Sequence, residues 1–101
     1  MKIPKILKCG GLDYEVIESD DISQFGDCIG ATLHDSQKLF IKPNQKDDGK
    51  EKTFLHEIIH IALYQSGITL RLERYDKDLE EDIVCSLEHT LYQILKDNKI
   101  I

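Results

Sequence analysis

The chain has 101 residues, 41% of them hydrophobic and 32% charged, which fits one globular domain with a modest core. Its net charge of −6 argues against nonspecific binding to nucleic acid or to an anionic membrane surface, since both need a basic face. No run of eighteen apolar residues is present, so no membrane-spanning helix is expected.

The first forty residues carry strand patterns. Ile3 to Lys8 and Asp13 to Glu18 flank Cys9-Gly10-Gly11-Leu12, and a Gly-Gly pair between two such runs predicts a hairpin. Asp20 to Phe25 is polar and is expected to be a connection. Cys28 to Leu33 and Leu39 to Ile41 flank "HDSQK", which predicts a second hairpin that Pro43 ends. "KPNQKDDGK" is a loop, and Asp48 with Glu51 has capping-box spacing, so a helix is expected from about Gly49 to Gly67. Apolar residues occupy every face of that helix between Phe54 and Tyr64, the mark of a buried helix. After a mixed connection, "ITLRLERYDK", Asp78 and Glu81 repeat the capping-box spacing. A second helix follows to about Lys96, with Asn98 after it and an apolar stripe of Leu79, Ile83, Val84, Leu87, Leu91, Ile94 and Leu95. The expected fold is α+β: one domain over 1–101, a small antiparallel sheet of three or four strands packed on two helices.

Cys9, Cys28 and Cys85 are odd in number, far apart and without a C-x-x-C pair. They are read as reduced thiols, hence an intracellular, cytoplasmic protein, and the opening "MKIPKILKCGG" lacks the long apolar run of a signal peptide.

The stretch "TFLHEIIHIAL" sets His56, Glu57 and His60 inside the apolar helix, where unpartnered polar groups are costly. Four residues is about one helical turn, so both imidazoles can converge on one metal ion. Glu57, about 100 degrees round from His56, can flank that ion without coordinating it and act as a general base on a water. H-E-x-x-H on a helix is a zinc-hydrolase pattern, and catalytic zinc wants a third protein ligand. The metzincin continuation is absent, since Leu63 and Ser66 stand where its glycine and third histidine would fall. An acidic residue on the second helix is the alternative. Glu80, centred on the apolar stripe, is the first candidate, with Glu81 nearer the stripe's edge as the second. His34, at a hairpin turn, and His89, opposite the stripe, are expected to face solvent. Tyr64 shares the face of His60 and is expected to pack, with a donor role as the rival.

"TFLHEIIHIALYQSGI" followed by "LEEDIVCSLEHTLYQILKDN" resembles the small phage and mobile-element members of the ImmA/IrrE-like metallopeptidases, a gluzincin-type group. The resemblance lies in residues 53 to 95. It implies a small sheet beside two zinc-bearing helices, with His56, His60 and Glu80 on zinc and Glu57 as catalytic base. Larger members carry E-x-x-A-N on the second helix; here Glu80-Glu81-Asp82-Ile83-Val84 keeps the acid and not the Ala-Asn. The expected activity is zinc-dependent hydrolysis of peptide bonds in a protein or peptide substrate, in a protein encoded by a phage or mobile element. An extended substrate would add to an exposed edge strand, expected at Leu39 to Ile41. The rival expectation is a non-catalytic module in which zinc staples two helices and the protein docks to a partner.

Overall fold

The computed structural model describes residues 1–20 and 28–101. Most of the expected connection from Asp20 to Phe25 lies outside the described residues. Strands β1 (Ile6–Cys9) and β2 (Leu12–Glu18) form the first hairpin. Gly10 and Gly11 sit at φ +58 and +80, the positive values that a two-residue hairpin turn requires at both central positions. Strands β3 (Gly30–Leu33) and β4 (Lys38–Ile41) form the second. Helix α1 spans Asp47–Gln65, α2 Ile68–Glu73 and α3 Leu79–Asp97.

The α+β class is as expected, but the sheet is mixed rather than antiparallel. Its order is β1-β2-β4-β3, and β2 pairs with β4 in parallel. The second hairpin therefore docks through β4, not through β3. Burial accounts for the choice. Leu39 and Ile41 of β4 are fully buried, whereas β3 offers Gly30, Ala31 and Thr32 and a half-exposed Leu33. The strand with most apolar surface takes the interior position. Leu39 to Ile41 is thus not an edge; among the described residues β3 is. Among the described residues there are also three helices rather than two, because "ITLRLE" in the expected connection winds into α2.

Helix α1 lies between sheet and helices, touching β3 and β4 on one side and α2 and α3 on the other. That explains apolar residues all round it. Phe54 and Ile61 join Tyr14, Leu39 and Ile41 in the core. Neither expected capping box forms. Asp48 Oδ1 accepts only the neighbouring Gly49 N–H, while Glu51 is buried and ion-paired with Lys96 at 3.4 Å. At α3, Asp78 makes no side-chain cap and Glu81 points to the histidines instead. An acid that has a cationic or half-buried imidazole partner gains more there than at a solvated helix end.

Helix α3 is rotated from the orientation its apolar stripe suggests. Val84 and Tyr92 are buried, and Leu87, Leu91 and Ile94 remain 37–48% exposed. The face turned to α1 runs Glu81, Val84, Glu88, Tyr92, a helical i, i+3, i+7, i+11 series. This rotation decides which acid meets which imidazole nitrogen. None of the helices among the described residues is long and apolar enough to cross a membrane.

Candidate metal centre

His56 and His60 stand one turn apart on α1, with ring centroids 4.9 Å apart. Their side chains are 16% and 17% exposed, half-buried between α1 and α3. The Glu81 carboxylate spans them: Oε1 lies 2.9 Å from His56 Nε2 and Oε2 lies 2.8 Å from His60 Nε2. One donor atom from each of His56, His60 and Glu81 falls within a 4.8 Å group.

Glu80 does not reach that point. Its Oε2 takes His60 Nδ1 at 2.6 Å, and its Oε1 accepts the Thr69 hydroxyl from α2. Glu88 Oε1 sits 3.5 Å from His56 Nδ1. Each imidazole therefore has an outer carboxylate on Nδ1 and shares Glu81 on Nε2. Carboxylates behind ligating histidines fix ring orientation and tautomer in metal sites. The structure brings together His56, His60 and both glutamates weighed from the sequence, with Glu81 between the rings and Glu80 behind one of them.

Glu57 lies on the other flank. It is 6% exposed, and Thr32 of the edge strand donates to its Oε1 at 2.7 Å. Burial pushes its carboxyl above the ordinary value, opposed by the Thr32 hydrogen bond and by His56 and His60. Burial also disfavours charge on Glu81, but His56 and His60 outweigh it and hold that carboxyl below its ordinary value. Gly30 makes this packing feasible. A Cβ there would stand 2.5 Å from Thr53 Cγ2 and 3.3 Å from Glu57 Oε2, so β3 approaches α1 only without a side chain.

These groups line an open cleft of about 820 Å³ that runs beside β3. His34, expected in solvent, lines it too. Its ring stacks on Tyr64 with centroids 3.8 Å apart and planes 4° from parallel. Tyr64 thus packs, as expected, though it remains 42% exposed. Burial lowers the proton affinity of His34, with Glu80 acting in the opposite sense. The loop position of His34 hid it: its neighbours Tyr14 and Tyr64 lie 20 and 30 residues away in sequence. His89 is exposed, as expected. Cys85 lines the cleft as well, and its thiol lies 3.5 Å from Glu81 Oε1. No protein-family model, curated protein or solved structure matches the chain.

Zinc fits this donor set. Two imidazole nitrogens and a carboxylate oxygen are zinc ligands, and bonds of 2.0–2.1 Å to a tetrahedral ion put donors about 3.3 Å apart. The two Nε2–Glu81 contacts need to open by about half an ångström to take that spacing. The Glu81 side chain, 55% exposed, can make such a shift.

Proposed function

We propose that the protein is a zinc-dependent peptidase, with His56, His60 and Glu81 holding the metal and Glu57 as general base. The observation that carries the reading is the shared Glu81 carboxylate on both Nε2 atoms, with buried Glu57 on the adjoining flank. Glu80 and Glu88 are positioning residues that orient the imidazoles from Nδ1. When bound, zinc supplies a Lewis acid that polarises a carbonyl and lowers the pKa of a water.

The chain's own residues do the rest. Thr32 holds one oxygen of Glu57, which lines the cleft. Glu57 takes a proton from the attacking water and returns it to the departing amine nitrogen. A carboxylate of raised proton affinity takes a proton from water more readily than an ordinary one. Edge strand β3 takes the place first expected of β4. Its outer backbone groups lie along the cleft and offer an extended peptide main-chain partners. The odd count of cysteines, with no C-x-x-C pair, favours action inside the cell, and the resemblance of residues 53 to 95 favours a phage or mobile-element origin.

Glu57→Gln tests the reading. The variant is expected to keep zinc and lose all cleavage of an unstructured protein such as casein; undiminished cleavage would refute it. One observation favours a second reading, zinc as a structural staple of a binding module. Cys85 lies beside Glu81 and would close the coordination sphere as a fourth ligand. Under that reading Cys85→Ser lowers zinc affinity by orders of magnitude; under the peptidase reading it does not.

A further inference from the structure

His34 sits where the peptidase reading leaves a role unfilled. Glu57 accounts for the proton on one flank of the cleft. His34 lines the same cleft and lies near enough to His60 and Glu80 to feel both groups electrostatically. The ring is held from two elements. Tyr64 of α1 stacks on its face, and Tyr14 of β2 meets it edge-on at 6.4 Å and 84°. The Tyr14 hydroxyl, on a fully buried residue, lies 3.4 Å from His34 Nδ1. A buried hydroxyl needs a partner. When Tyr14 donates to Nδ1, the neutral ring carries its proton on Nε2, leaving a fixed N–H donor on a residue that lines the cleft. Packing alone would be served by phenylalanine or leucine, without a second nitrogen to satisfy.

Resting on the peptidase reading, we propose that His34 is a further catalytic residue, whose Nε2–H hydrogen-bonds the scissile carbonyl oxygen as charge develops on it. The proton stays on Nε2 throughout, so the proton count is closed by Glu57 alone, from water to amine. A preorganised donor of this kind stabilises the transition state more than the substrate. The Tyr64 stack and the Tyr14 hydrogen bond supply the preorganisation, and desolvation keeps the ring neutral.

The test uses two probes on the zinc-loaded full chain, read by calorimetry. N-phosphoryl-Leu-Ala presents anionic tetrahedral oxygens to both flanks of the cleft; acetohydroxamate needs only the metal and Glu57. His34→Phe keeps the stack and removes the donor. It is expected to weaken the phosphoryl dipeptide at least tenfold, to leave acetohydroxamate within twofold and to leave zinc stoichiometry unchanged. His34→Gln is expected to recover part of the loss. Equal effects on both probes, or none on either, would overturn the proposal while leaving the peptidase reading in place. If wild type binds neither probe, the peptidase reading fails and this proposal falls with it. Independently of metal, long-range 1H–15N spectra of wild type are expected to place the His34 proton on Nε2; a proton on Nδ1 would overturn it.

Discussion

Gly30→Ala measures how closely the edge strand is tied to the site. The added methyl would stand 2.5 Å from Thr53 Cγ2, about 0.9 Å short of the 3.4 Å at which ordinary contact begins. Thr53 is poorly placed to yield. It is 3% exposed, and its hydroxyl donates to Gly49 O and Gln45 Oε1, both at 2.9 Å, so turning the side chain away breaks those bonds. The remaining response is to lift β3 from α1, which strains the Thr32–Glu57 hydrogen bond. Overpacking of this kind costs about 1–3 kcal/mol. In a domain of this size that is a fall in Tm of about 5–20 °C, read by circular dichroism on metal-free protein. Thr53→Ser removes the offending methyl and keeps the hydroxyl, so the double variant Gly30→Ala/Thr53→Ser is expected to regain most of the loss. A Tm within 2 °C of wild type for Gly30→Ala alone, or no recovery in the double variant, would refute the close approach of β3 to Glu57.

Further outcomes follow from the same geometry. Thr32→Val is expected to cost about 1–3 kcal/mol in denaturant unfolding, because it orphans an oxygen of a buried carboxylate. It should also lower peptidase activity. Because burial raises the Glu57 carboxyl, the folded metal-free protein binds that proton more tightly than the unfolded chain does. Its contribution to stability is therefore full below the ordinary carboxyl range and declines as pH rises through and above it. Glu57→Gln has no such decline, so its stability relative to wild type is expected to grow with pH across that window in urea titrations. Cys85→Ser is expected to leave zinc affinity within a few-fold; a loss of orders of magnitude would favour the structural-zinc reading.

Much of the fold was legible because local chemistry marks it. Gly10-Gly11 announces the first hairpin, "HDSQK" the second, and Gly67, at φ +77, the end of α1. The all-round apolar pattern of α1 correctly implied a helix covered on both sides. Strand order was not legible, because it depends on which of two hairpin strands has more surface to bury against β2. His56, Glu57 and His60 were legible from spacing alone. The arrangement of Glu80 and Glu81 was not: the apolar stripe suggested one orientation of α3, but the helix turns Val84, Glu88 and Tyr92 inward and leaves Leu87, Leu91 and Ile94 exposed. A turn of about one residue's spacing, roughly 100 degrees, exchanges the two acids. His34 was hidden for a different reason, since its partners come from β2 and the far end of α1.

Metal content decides the central claim most directly. Untagged wild-type protein, dialysed against zinc and then against buffer, is expected to hold close to one zinc per chain by atomic emission. His56→Ala and Glu81→Ala are expected to hold none. Glu80→Ala is expected to retain zinc with affinity weakened about 10–100-fold, as for loss of a group behind a ligand. No zinc uptake by wild type would contradict the account outright, and zinc lost in Glu80→Ala but kept in Glu81→Ala would contradict the ligand set.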